Sequence, residues 1–186
     1  NSGPIGNHAM TQAPARIGDL VADIDTPALV VDLDAFEGNL KKLADFAKAA
    51  GVKLRPHAKT HKCPAIALKQ IAMGAVGQCC QKVGEAEALV RGGVKDVLVS
   101  NQIVGVHKQR RMAALAKDAA ITCCFDNAEL VTQTGKVAQE FGVTLGALVE
   151  LEVGMQRCGV PAGEPVLSLA KQIAATPCLK FRGLQA

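Results

Sequence analysis

The chain has 186 residues, the length of one domain, and 49% of them are apolar, enough for a real core and too many for a disordered segment. A net charge of +4 with no run of five or six like charges, no Trp or Tyr and only five Phe gives nucleic acid little to bind. No apolar run approaches the ~20 residues of a membrane span, and seven cysteines with no C-x-x-C spacing read as small buried hydrophobes in a reducing cytoplasm.

In chain order, residues 1–10 read as an expression scar ahead of a start Met and are set aside, His8 included. Residues 11–33 form an N-terminal segment that ends in a leading strand at 28–33. A partial α/β barrel is expected over residues 34–186. Apolar, β-branched runs predict further strands at 52–58, 75–80, 96–100, 120–125, 144–151 and 179–184. Amphipathic stretches separate them. Phe36, Leu40, Leu43, Ala47 and Ala50 recur at four- and three-residue steps, the apolar face of a helix. Asp34 is its expected N-cap, with Glu37 three residues on, and Gly51 its stop. Pro64 suits the opening of the next helix. Leu130, Thr134, Val137 and Phe141 mark a later helix between Asn127 and Gly142, and Val166, Leu169, Ala170 and Ile173 mark the last.

From residue 52 the strands return every ~20–25 residues, the period of a βα unit, which implies a parallel sheet covered by helices. A closed barrel competes with an open doubly wound sheet, and no G-x-G-x-x-G follows any strand to support the second. The fold class expected is α/β, the N-terminal portion of a TIM barrel, with about six of its eight strands present.

Residues 53–62 read Lys-Leu-Arg-Pro-His-Ala-Lys-Thr-His-Lys. In a strand, alternation puts Leu54, Pro56 and Ala58 on one face and Lys53, Arg55, His57 and Lys59 on the other. With the apolar set against the helices, the polar set points inward near the C-terminal end of the strand, where barrel enzymes place their chemistry. A Lys there, partly desolvated beside a guanidinium, is the residue type that condenses with an aldehyde. Lys62, past the strand, is the poorer candidate, and solvated loop charge is the bland alternative for the whole stretch. His57 and His61 sit four apart, but Pro56 argues against the helix that would make them a metal pair. Further on, Gly154-Met-Gln-Arg-Cys-Gly159 is a Gly-bracketed turn that brings Arg157 to the C-terminal rim, where its fork can take a phenolate, phosphate or carboxylate. Glu150 and Glu152 are expected to be structural, and Asn101 and Asp126 either line the rim or cap the next helix.

Taken together, Arg55-Pro-His-Ala-Lys-Thr-His-Lys62, Cys79-Cys-Gln-Lys-Val83 and the Gly154–Gly159 turn resemble the D-threonine aldolase / D-serine dehydratase-like family, barrel-type pyridoxal-phosphate enzymes that include alanine racemase. The resemblance runs from about Asp25 to Ala186. It implies that Lys59 forms the Schiff base with pyridoxal 5'-phosphate, that Arg157 hydrogen-bonds the phenolic oxygen, and that Gln81 and His57 lie near the ring. It implies a lyase that cleaves a D-β-hydroxy amino acid to glycine and an aldehyde, assisted by a divalent metal (Mn, Mg or Zn) with ligands beyond this chain. A dehydratase of D-serine or hydroxyaspartate and a non-catalytic cofactor-binding protein are the alternatives. It also implies a homodimer, and a C-terminal half with the last barrel strands and a β-domain beyond Ala186.

Overall fold

A computed structural model describes residues 15–186, so the scar and the start of the N-terminal segment lie outside the described residues. The described residues divide into two units, the first ending at Asn39 and the second spanning Leu40–Ala186. In the first, a 3-10 turn spans Val21–Asp23 and α1 begins at Leu33, running to Ala49. The leading strand expected at 28–33 is not formed: residues 28–32 are irregular, and Leu29, Val30 and Val31 are exposed. An extended segment needs a neighbour for its backbone groups, and here Asp32 supplies a local alternative. Its Oδ1 accepts the Ala35 N–H at 2.8 Å, so Asp32 caps the helix two residues before the expected Asp34.

The second unit is a five-stranded parallel sheet in the order β1-β2-β3-β4-β5, formed by Gln78–Cys80, Asp96–Val99, Ala120–Phe125, Leu145–Glu150 and Leu179–Gln185. Each strand pairs with the next in sequence. A doubly wound sheet reverses its order at a switch point, whereas a barrel winds in one direction. Sequential pairing is the barrel's pattern. Residues 52–58 run beside β1: Val76 N–H reaches Leu54 O at 2.9 Å, Cys79 N–H reaches Pro56 O at 2.8 Å, and Ala58 N–H reaches Cys79 O at 2.7 Å. Pro56 has no N–H to give, which limits this segment to one bridge, His57 with Cys79.

The helices are α2 (Pro64–Ala72), α3 (Val83–Arg91), α4 (Val106–Leu115), α5 (Ala128–Phe141) and α6 (Glu164–Ala175). Pro64 opens α2 as expected, and Asn127 caps α5 by accepting the Glu129 and Leu130 N–H groups at 2.8 and 3.1 Å. Gly142, at φ 64°, ends α5 in the left-handed region. The main core lies between sheet and helices and includes Cys80, Val97, Val99, Ile121, Cys123, Leu145, Val149, Leu169 and Ile173. A second, smaller cluster of Cys79, Leu98, Cys124 and Leu148 lies on the other sheet face. Each adjacent cysteine pair therefore divides between the two faces, and burial pushes the thiols of Cys80 and Cys123 up to about 12. All seven cysteines are unpaired, and among the described residues no helix is long and apolar enough to cross a membrane.

Candidate active site

Because every strand runs the same way, the residues that follow them gather at one end of the sheet. Lys59 follows the 52–58 segment, Gln81 follows β1, Ser100 follows β2, Asp126 follows β3, and the Arg157 turn follows β4. Alternation puts Arg55 and His57 on the inner face as expected, whereas Lys59 lies in the turn at residues 58–61, past the extended segment. Ala58 joins the helix-side core, while Arg55 and His57 meet residues of the opposite face. Arg55 Nη1 donates to Asp96 Oδ1 at 2.9 Å and Gln78 O at 3.4 Å, a half-buried pair deep in the face.

His57 lies one layer higher. Its Nδ1 accepts the Lys59 N–H at 3.2 Å, and its Nε2 lies 3.4 Å from Ser100 Oγ. The Ser100 hydroxyl in turn donates to Cys80 O at 3.2 Å. Burial, then the nearby Lys59 charge, hold the imidazole pKa below its ordinary 6.5, with Glu85 opposing. His57 is thus a neutral acceptor that fixes the backbone of Lys59. His61 does the same for Cys63, whose N–H reaches its Nδ1 at 3.0 Å. In both imidazoles Nδ1 accepts the backbone N–H two residues on.

Lys59 itself is exposed, not partly desolvated as expected. Residues 52–58 form the sheet's edge, with β1 as their one neighbour among the described residues, so one flank of the amine is open. Gln81 is half-buried, and its N–H reaches Glu85 Oε2 at 2.8 Å. Together with Lys62, Lys82, Asn101 and Lys108, it lines a cleft of about 580 Å³. Arg157 is exposed on its turn. Glu152 binds that turn's backbone, and Asp126 accepts the Gly159 N–H at 3.0 Å. Glu150 is buried, its Oε1 receiving Cys158 Sγ at 3.4 Å. Asp126 does not cap α5, which is Asn127's part. Ser100 escaped the sequence reading, although it shares the inward parity of Leu98. Among the described residues no group of His, Cys, Asp and Glu could hold a metal ion.

Residues 31–186 match the family described as alanine racemase, N-terminal domain. The chain belongs to that family. It is 47% identical over 173 residues to a D-threonine aldolase of an Arthrobacter species, covering 93% of this chain and 46% of the relative. It is 45% identical to the 3-hydroxy-D-aspartate aldolase of Paracoccus denitrificans, covering 93% and 45%. Among solved structures, D-threonine aldolase from Filomicrobium marinum superposes with a TM-score of 0.92 at 49% identity, over 94% of this chain and 47% of that one. The chain spans about half the length of the curated relatives it matches.

Proposed function

We propose that this chain is the cofactor-holding half of a pyridoxal-phosphate-dependent aldehyde-lyase that cleaves D-β-hydroxy amino acids to glycine and an aldehyde. The observation that carries it is the placement of one amine, Lys59, and one guanidinium, Arg157, at the same end of a sequentially wound parallel sheet. They stand four positions apart along that sheet, and in an eight-stranded barrel such positions face each other across the mouth.

The residues present fit an aromatic aldehyde bearing a phenol. Cys79 and Cys124 present small side chains on the inner face beneath the mouth, and the space at Gly146 is filled by Thr122. Lys59 would hold the aldehyde carbon through its amine. His57, which accepts the Lys59 N–H, would keep that backbone fixed. Arg157 donates to the phenolic oxygen and holds it as the anion. Gln81, one residue past β1, would border the ring. When bound, the pyridine ring supplies the sink for the electron pair of the broken Cα–Cβ bond. The divalent metal implied by the resemblance finds no donor set among the described residues, and no step here uses one.

Both relatives named above carry the word aldolase, which favours carbon–carbon cleavage over loss of water. Seven unpaired cysteines support a reducing compartment such as the cytoplasm. Borohydride reduction of the cofactor-loaded enzyme, followed by peptide mapping, should place the pyridoxyl group on Lys59, and Lys59→Ala should abolish it. An adduct on Lys62 instead would overturn the assignment. D-threonine and 3-hydroxy-D-aspartate should then yield glycine and an aldehyde. Ammonia and a keto acid would make the enzyme a dehydratase, and bound cofactor without turnover a carrier.

A further inference from the structure

The turn that carries Arg157 is tied to two strand ends, and each tie finishes on a carboxylate. Glu152, two residues past β4, accepts the Gly154 N–H. The backbone N–H groups of Gln156, Gly154, Arg157 and Met155 together hold its carboxyl below the usual carboxylate range. Asp126, one residue past β3, accepts the Gly159 N–H at 3.0 Å. Between these ties the chain closes on itself: Glu152 N–H reaches Val160 O at 3.0 Å, and Val160 N–H reaches Glu150 O at 2.9 Å. The closure admits no side chain at Gly159. Its φ is +103°, and a Cβ there would lie 2.6 Å from Glu152 N and 2.7 Å from the Leu151 carbonyl carbon. Gln156, next to the arginine, also adopts a positive φ of 51°.

Successive N–H groups curled round one point form a concave anion site. Here the anion is the protein's own. Although the Arg157 side chain is exposed, its backbone is therefore fixed against both β3 and β4.

We infer that Glu152 and Asp126 are positioning residues that present the Arg157 guanidinium to the phenolic oxygen of the cofactor. The inference rests on the reading of Arg157 given above. A turn that merely stabilised the fold would not predict that its ties act through the arginine.

The test measures pyridoxal phosphate dissociation and the absorption maximum of the bound form in the whole enzyme. Arg157→Ala should weaken binding about 10–100-fold, the loss of a charge-assisted hydrogen bond. Glu152→Ala should weaken it about tenfold and shift the band in the same direction, yet add less than about twofold when Arg157 is already Ala. Glu152→Gln and Asp126→Asn keep an acceptor oxygen, so each should stay within about threefold of the parent. Should Glu152→Ala fail to fold, the same cycle run with Glu152→Gln should show its smaller loss only while Arg157 is present. Equal weakening in both backgrounds would overturn the inference. So would a lowered melting temperature with affinity and spectrum unchanged. If the parent gives no Lys59 adduct on borohydride reduction, the functional reading falls and takes this inference with it. If the adduct forms and the coupling is absent, the inference alone falls.

Discussion

The hydrogen bonds of His57 admit one consistent proton arrangement. Nδ1 accepts the Lys59 N–H, so the ring proton sits on Nε2 and points to Ser100 Oγ, whose own proton goes to Cys80 O. Protonating the ring would set an Nδ1–H against the Lys59 N–H and break the first link. Burial and then Lys59 lower the His57 pKa from 6.5, so below that value the unfolded chain binds more protons at this site than the folded one. The contribution is therefore complete above pH 6.5 and is lost as pH falls through the lowered value. Cofactor capture by Lys59, followed by absorbance, should fall more steeply in acid for the parent than for His57→Asn, which keeps an acceptor but does not titrate. Identical profiles would remove His57 from this role. Alternation alone made the shared face of Arg55 and His57 legible, while Lys59 sits in the turn that follows. Their partners were not legible: Asp96 and Ser100 arrive through the register of β2, which no local pattern in the sequence specifies.

Helices were the more legible elements, because caps and apolar spacing are local. Pro64, Asn127 and Gly142 all perform as read. The leading strand failed because a strand is defined by its neighbour, and Asp32 offered the backbone a helix start instead. Glycine packing was also hidden from the sequence. Gly135 sits inside α5, where Ala is the better helix former by about 1 kcal/mol. Yet a Cβ at Gly135 would lie 2.3 Å from Thr176 Cγ2, just past α6. Overpacking costs of about 1–3 kcal/mol exceed the propensity gain, so Gly135→Ala should lower the unfolding midpoint. Pairing it with Thr176→Ser removes the clashing methyl, keeps the hydroxyl that donates to Gln172 O at 2.7 Å, and should recover most of the loss. An equally unstable double variant would show that the Thr176 methyl is not what obstructs the added Cβ. A third change at this scale isolates the cap: Asn127→Ala should cost about 1 kcal/mol in denaturant titration, since two N–H groups lose their acceptor.

Winding direction governs the whole molecule. Five strands paired in sequence order, with residues 52–58 beside the first, leave one open edge at 52–58 and another at β5 among the described residues. Parallel sheets are normally covered on both faces, and a barrel removes its edges by closure. In this unit the helix side is covered, while Val52, Phe181 and Leu184 near the edges remain exposed. So does Phe46 on α1, at 69%. Burying one such side chain is worth roughly 1.5–3 kcal/mol, so several left in water amount to a large share of a domain's net stability. The 186-residue polypeptide expressed alone should therefore bind an anilinonaphthalene sulfonate dye and self-associate with rising concentration. A polypeptide of the relatives' full length, carrying the same sequence, should bind much less dye and should capture pyridoxal phosphate at Lys59 more tightly, because closure would cover the amine's open flank. Equal dye binding by the two would mean that added chain does not cover these edges, and the barrel reading of the open sheet would have to be abandoned. If the dye signal drops but cofactor affinity stays the same, the edges close without desolvating Lys59, and the burial expected of that amine must be supplied by the cofactor itself.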